Sequence, residues 1–154
     1  MRSVSRRPFI WIASLTCLVL STILVSAVLG QSDVPLPSEI RILPPGPDVS
    51  PERAAFLGKW FGRWDGSLSH VLIVEEIVAN PPRVMVVYAW GTNQVVQRPG
   101  WSRARGRFSG NDLYLDRFPN GAQVIYRMLP GESLDATYEV GSTVSRATMR
   151  RIRD

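Results

Sequence analysis

The chain has 154 residues, with 18 lysine and arginine residues against 13 acidic ones and a formal net charge of +5. This length gives room for one domain. Arg2, Arg6 and Arg7 hold three of the positive charges. The remainder is only weakly basic, which excludes the electrostatic footprint of a nucleic-acid-binding protein.

Residues 1–30 have the pattern of a signal peptide or a membrane anchor. After the basic start, residues 9–30 contain no charged side chain. A bilayer-spanning helix needs roughly 20 apolar residues, whereas the apolar region of a usual signal peptide has roughly 7–15. The small residues at 25–27 and 28–30 resemble cleavage sites, so cleavage and retention both stay open. Either way, we expect the rest to be exported, periplasmic or anchored in the cytoplasmic membrane facing outward.

The export route also has two readings. The start from Ser5 to Ile10 resembles the twin-arginine motif, and it equally fits an ordinary basic region of a signal peptide. Cys17, the single cysteine, lies inside the apolar run without the flanking residues of a lipoprotein box. We therefore expect no lipid there and no disulfide in the exported part.

Residues 31–49 are predicted to be a linker, and residues 50–154 the folded domain. The linker is rich in proline and holds little that could pack, so we expect a semi-rigid spacer or a loose mature N-terminus. The stretch SPERAAFLG at 50–58 then predicts one short helix. Ser50 can cap it, Pro51 suits its first position and Gly58 can end it.

Beyond this helix, alternating apolar residues and turn signals predict eight short strands. They are placed at 59–64, 68–78, 83–90, 101–108, 112–117, 123–129, 134–139 and 143–151. The pairs Asp65-Gly66 and Asn120-Gly121 suit tight hairpins, where positive φ is needed.

The short connections between these strands determine the predicted fold class. All of them except 91–100 are too short for a crossover helix, so neighbouring strands pair antiparallel. Closing the meander into a barrel removes both exposed edges. We therefore predict an all-β fold, an antiparallel up-and-down barrel with an N-terminal hydrophobic helix.

Glycine and tryptophan alternate at the start of the first strand, in GKWFGRWDG. Trp60 and Trp64 share a face with Gly62, which leaves room for the rings and lets the strand bend. A short helix followed by Gly58-x-Trp60 resembles the calycin superfamily of lipocalins, fatty-acid-binding proteins and avidins. The resemblance implies a tryptophan at the barrel floor with an arginine of the last strand packed across it.

Three arginines near the chain end are candidates for that position: Arg146, Arg150 and Arg151. We choose Arg150, so the implied floor set is Gly58, Trp60 and Arg150. The Thr-Asp-Tyr signature and the disulfide of lipocalins are not evident, and neither is the polar set of avidins. The resemblance therefore implies the fold and leaves the ligand open.

Aromatic side chains and one acid are the candidates for a ligand site. They are Trp64, Tyr88, Trp90, Tyr126, Tyr138 and Glu76. The rings could line a cavity, or they could fill the barrel as core. We expect Glu76 to point inward in line with His70, where it would need a partner such as an arginine or a tyrosine hydroxyl.

The fourth strand carries small residues on one face and Trp101, Arg103, Arg105 and Arg107 on the other. The small face indicates either a cavity or complementary packing. The arginine face indicates either a solvated surface or a stripe that binds an anion or a partner. The loop at 91–100 is either a lid over a mouth or plain coil.

No catalytic motif, metal set or cofactor site is evident, since His70 is the single histidine and has no nucleophile at a known spacing. Three functional classes remain. The first is an exported binding module for a small apolar ligand, and the second is a solid-core structural or protein-interaction domain of the cell envelope. The third, an enzyme using Glu76 or His70, is not expected. Membrane contact is expected through residues 9–30 if they are not cleaved.

Overall fold

The computed structural model describes residues 33–153, which form a closed eight-stranded antiparallel barrel after one helical turn. The elements are α1 Pro51–Ala54, β1 Gly58–Trp64, β2 Leu68–Val78, β3 Arg83–Trp90, β4 Gly100–Ser109, β5 Asp112–Leu115, β6 Gln123–Leu129, β7 Ser133–Val140 and β8 Thr143–Ile152. Each strand pairs with its sequence neighbours, and β1 pairs with β8. The predicted all-β barrel is therefore confirmed. The predicted hydrophobic helix lies outside the described residues.

The barrel has two ends, which we call the floor and the mouth. The floor holds α1 and the β2–β3, β4–β5 and β6–β7 turns, and the mouth holds the other connections. Asp65 and Gly66, at the mouth, have φ of 47° and 73°, as their hairpin requires. Within residues 33–153, no helix is both long and apolar enough to cross a bilayer.

Two elements are shorter than predicted. Helix α1 ends at Ala54, and the side chain of Ser50 makes no capping hydrogen bond. The chain turns there because Phe56 is inserted into the floor, where it is fully buried. Strand β5 ends at Leu115, because the Phe118 N–H donates to the carbonyl of Ala122 and folds the following residues into a tight turn.

Residues 33–43, which we call the strap, lie along the outer face of the barrel. Val34 is buried with Val71, Ile73, Val87 and Ala89 of β2 and β3. At the floor end, the Leu43 N–H donates to the Glu75 carbonyl at 2.8 Å. The expectation that residues 31–49 hold little that could pack is therefore wrong for the strap. The reason is that isolated apolar residues between the prolines find an apolar sheet face to cover.

Candidate functional site

The floor is closed by a tryptophan beneath an arginine. The Arg151 guanidinium lies 4.1 Å from the centre of the Trp60 ring, and it donates to the carbonyls of Ala55 and Leu57, both at 2.6 Å. Gly58 has φ of 117°, and a Cβ there would lie 2.7 Å from an Arg151 nitrogen. The backbone conformation therefore requires glycine at 58, and a side chain there would also displace the Arg151 guanidinium.

The choice of Arg150 as the floor arginine is wrong. Arg150 is exposed and pairs with Phe61 on the outer face of the sheet. Side chains alternate across a strand, and Met149 of β8 is fully buried. Arg151 therefore shares the inward face with Met149, and Arg150 cannot.

The middle of the barrel is filled by side chains. The fully buried ones include Trp60, Leu72, Val74, Val86, Leu113, Leu115, Val124, Leu134, Ala136 and Met149. Strand β4 contributes the small inward residue Gly106, where a Cβ would lie 2.8 Å from the Tyr114 carbonyl and 3.1 Å from Leu113. At Gly106 the small face of β4 is thus complementary to its neighbours, whereas Ser102 and Ala104 of the same face are only half-buried.

An aromatic cluster, the mouth cluster, lies above this core. His70 is at its centre, with its ring 5.0 Å from Trp64, 4.4 Å from Tyr88 and 6.1 Å from Tyr126. Tyr138 meets Trp64 edge-on at 6.0 Å. Trp90 reaches the cluster from its edge, with its ring 5.9 Å from Tyr88. The structure therefore brings together five of the six predicted ligand-site residues, and it adds His70.

Both ring nitrogens of His70 are hydrogen-bonded. Nδ1 donates to the Ala89 carbonyl at 2.8 Å, so Nε2 must accept from the Tyr126 hydroxyl, also at 2.8 Å. Burial lowers the pKa of His70 to about 4, against the opposing effect of the Ala89 bond. Burial also raises the pKa of Tyr126 well above its usual value. A neutral histidine with both nitrogens engaged has no free site for a proton or a metal ion.

Trp64 differs from His70, because its buried indole N–H has no partner with good hydrogen-bond geometry, although it acts on the nearby Tyr88 hydroxyl. The Tyr138 hydroxyl, at the edge of the same cluster, accepts from the Asn120 amide at 2.8 Å. Burial raises the pKa of Tyr88, the neighbouring Tyr138 adds to this effect, and the Trp64 N–H opposes it. A buried N–H without a partner costs about 1–3 kcal/mol. An acceptor placed in line with the Trp64 N–H would therefore bond it better than the Tyr88 hydroxyl does.

Trp90 stands at the rim of the mouth rather than in the cluster core. It is half-buried, and its indole N–H donates to the Arg98 carbonyl at 2.9 Å. Asn93 accepts from the Val95 N–H at 2.9 Å and donates to the Ser67 hydroxyl at 3.2 Å. The loop after β3 is thus internally bonded and tied to the β1–β2 turn.

Glu76 lies on the outer surface, so the expectation that it points inward is wrong. The β2–β3 register shifts between Val74 and Glu76, which leaves Glu75 as an extra residue in a β-bulge. Glu76 consequently faces outward and accepts from Arg83 at 3.1 and 3.0 Å. Since His70 is inside the barrel and Glu76 outside, the two groups considered for an enzyme cannot share one site.

The outer arginine stripe of β4 is largely engaged in ion pairs. Arg103 donates to the Glu75 carboxylate at 2.9 Å, and this hydrogen bond is the main reason that the pKa of Arg103 is raised. Arg107 lies 4.0 Å from Asp116. Arg105, between them, is exposed. The stripe is therefore a surface of mixed charge, with acids interleaved between the arginines.

Clefts occur on the outside of the domain. One of about 330 Å³ lies between residues 43–49 and the floor end of β2. Another of about 140 Å³ lies on the outer face of β5 to β8. Among residues 33–153, no group of three or more His, Cys, Asp or Glu side chains could hold a metal ion.

Sequence reasoning missed two features of the structure, one on the outer surface and one inside the barrel. The bulge at Glu75 interrupts the alternation of inward and outward side chains along β2. The one sequence signal for it was the pair of adjacent acids in an otherwise apolar strand, because in a regular strand one of them would face the core. The pairing of His70 with Tyr126 joins strands that are not adjacent in the sheet. No local pattern encodes that contact.

Comparison of the chain with protein-family models, with curated proteins and with solved structures finds no match. The function must therefore be argued from the geometry of the described residues.

Proposed function

We propose that this chain is an exported protein-interaction domain of the cell envelope, built on a calycin-like barrel with a solid core. The filled interior carries the proposal. Leu72, Val86 and Leu113 are fully buried at the level where a ligand inside a barrel would lie. Eight-stranded barrels either fill with side chains or hold one small ligand, and the burial here supports the first kind.

The floor geometry supports the calycin-like part of the proposal. The arginine that packs across Trp60 comes from the last strand, and Gly58 begins the first. These are the positions that the resemblance implies, with Arg151 in place of Arg150. Residues 9–30 and the basic residues before them support the location, as an export signal or an anchor that leaves the barrel outside the cytoplasmic membrane.

Native mass spectrometry of the full chain, released from mild detergent and compared with its denatured mass, tests the solid core. We expect the same mass in both states. Extra mass of a small molecule that denaturation releases would overturn the solid-core proposal, and its value would begin to name the ligand.

A small ligand at the mouth is the second candidate, and the Trp64 N–H favours it because its interaction with Tyr88 lacks good hydrogen-bond geometry. The aromatic surroundings suit a small, largely apolar molecule with one hydrogen-bond acceptor. If the native mass shows an occupant, it should be lost in Trp64→Phe and kept in Trp101→Phe. Trp101 is the matched control, because it is 42% exposed on the outer face of β4.

A further inference from the structure

Strand β2 extends beyond its neighbour β1 at the floor. The first residue of β1, Gly58, pairs with Val74, whereas β2 continues to Val78. On that side, the backbone bond made by the strap ends at Glu75, which accepts from the Leu43 N–H. Within residues 33–153, no further backbone hydrogen bond reaches this edge, so residues 76–78 keep a bare edge. Bare strand edges can pair with another chain.

A cleft lies along this edge. Its volume is about 330 Å³, and its walls are residues 43–49 on one side and residues 76–80 on the other. This size is at the lower end of the roughly 300–1,000 Å³ range of ligand pockets. Pro44 and Pro47 stiffen the outer wall, and neither can donate a backbone hydrogen bond to the bare edge. The space beside β2 is thus open to a chain from elsewhere.

The ionisable side chains that line the cleft are both acidic. Glu76 is bound by Arg83, and Asp48 is exposed. Arg53 and Arg83 line an adjoining cleft of about 40 Å³ together with Asp48, but Arg53 donates to the Gly110 carbonyl and Arg83 to Glu76. A positive side chain in the larger cleft would therefore be attracted by the exposed Asp48, and a negative one would be repelled by it.

We infer that the bare β2 edge binds an extended segment of a partner protein that carries a lysine or arginine. The segment would add to residues 76–78 as a short strand, with main-chain hydrogen bonds to the edge and its positive side chain against Asp48. An extended peptide matches the edge because its donors and acceptors repeat at the spacing of a strand. This inference rests on the proposed function, for which it names the partner class and the surface.

The test is an amide NMR titration of the isotope-labelled full chain in mild detergent. The probe is a pool of acetylated, amidated pentapeptides with a central Arg and Val, Ile or Thr at the other positions. A second pool has Glu at the centre. We expect saturable shifts at residues 43–49 and 76–79 with the Arg pool, and at least tenfold weaker binding of the Glu pool.

Two variants and one modified probe separate the parts of the inference. Asp48→Lys should weaken binding of the Arg pool about tenfold. Glu139→Lys, the same change at an exposed position on β7, should leave it unchanged. A pool N-methylated at alternate residues should not bind, since it lacks the main-chain donors.

Several outcomes would overturn the inference: no saturable shift with the Arg pool, shifts centred elsewhere, or equal binding of the Glu or N-methylated pools. The native mass measurement reads the barrel interior, and this titration reads the outer edge. A failure of the solid core is therefore visible separately from a failure of the edge site.

Discussion

At the residue scale, His70 shows how a polar side chain is accommodated inside this barrel. It is fully buried between Trp64 and Tyr88, yet both of its nitrogens are hydrogen-bonded. Buried polar groups cost little when every donor and acceptor is engaged, and much when one is left free. His70 is therefore a core residue that stays neutral, and its energetic effect depends on pH.

We expect the stability of the domain to fall as the pH drops through the range set by His70. The unfolded chain protonates this histidine near pH 6.5, whereas the pKa in the folded protein is about 4. Between these values the unfolded state binds more protons, so the contribution of His70 is complete above pH 6.5 and lost toward pH 4. The loss amounts to about 3 kcal/mol.

Urea unfolding of the full chain at pH 7 and pH 4 measures this change, with His70→Gln as the comparison. The variant should lose less stability between the two pH values. Titration of the His70 ring by NMR is an independent check, and a folded-state pKa near 6.5 would contradict the prediction.

A second prediction at this scale separates two adjacent arginines. Arg151→Met should lower the free energy of unfolding by about 1–3 kcal/mol, because it removes a part-buried hydrogen bond to Leu57, an exposed one to Ala55 and the contact with Trp60. Arg150→Met should change it by less than about 0.5 kcal/mol. Equal effects of the two changes in thermal or urea unfolding would show that the floor geometry is wrong.

The wrong predictions for Arg150 and Glu76 show where the alternation of side chains along a strand can be read from sequence and where it cannot. In β8 the alternation could have identified Arg151 as the floor arginine, since the apolar residues Ala147 and Met149 already mark the inward face in the sequence. In β2 the alternation gave the wrong face for Glu76, because a bulge inserts one residue with no local signature beyond the two adjacent acids. Regular alternation can be read from sequence, and its interruptions need the partner strand.

At the element scale, the strap acts as an outer layer over β2 and β3. Its covering residue, Val34, is 5% exposed, and the sheet residues beneath it form an apolar patch. The turns and strands around it could be predicted from glycine, proline and asparagine at the connections. The strap could not, because a proline-rich segment has the same composition whether it is loose or docked.

We predict that Val34→Ser loosens the strap without unfolding the barrel. Loss of the buried side chain should lower the free energy of strap opening by about 1–2 kcal/mol. Hydrogen exchange at the Leu43 amide, which donates to Glu75, should then accelerate about tenfold. Val95→Ser is the control, since Val95 is 85% exposed. Unchanged exchange at Leu43 in Val34→Ser would argue against docking.

At the scale of the whole molecule, the fold depends on closure between the first and last strands. Strand β8 pairs with β1 over Lys59, Trp60 and Phe61. The contact resumes at the mouth, where the Asp65 N–H donates to the Arg146 carbonyl at 2.9 Å. Between these points Gly62 lets the strands approach, since a Cβ there would lie 2.9 Å from a β8 carbonyl oxygen. Gly62 therefore serves barrel closure.

Gly62→Ala should consequently destabilise the barrel by about 1–3 kcal/mol, because the added methyl group meets a backbone oxygen that cannot move freely. Gly46→Ala adds the same group where nothing lies within 4 Å, so it should change stability by less than about 0.5 kcal/mol. Thermal unfolding of both variants measures the difference. An unchanged unfolding temperature of Gly62→Ala would show that β1 and β8 can move apart at this point without loss of stability.

The extra residue in β2 has a consequence for how this protein could change over generations. The carbonyl of Glu75 accepts from the strap, and its carboxylate pairs with Arg103. Residues 76 and 77 already pair with Met85 and Val84, so deleting Glu75 would leave a regular ladder with the same inward side chains. Deletion of Glu75 would thus remove the polar attachment of the strap and leave the inward side chains of β2 in place. Val34 would still pack against β2 and β3, so the strap has a second, apolar attachment that the loss of one codon does not remove.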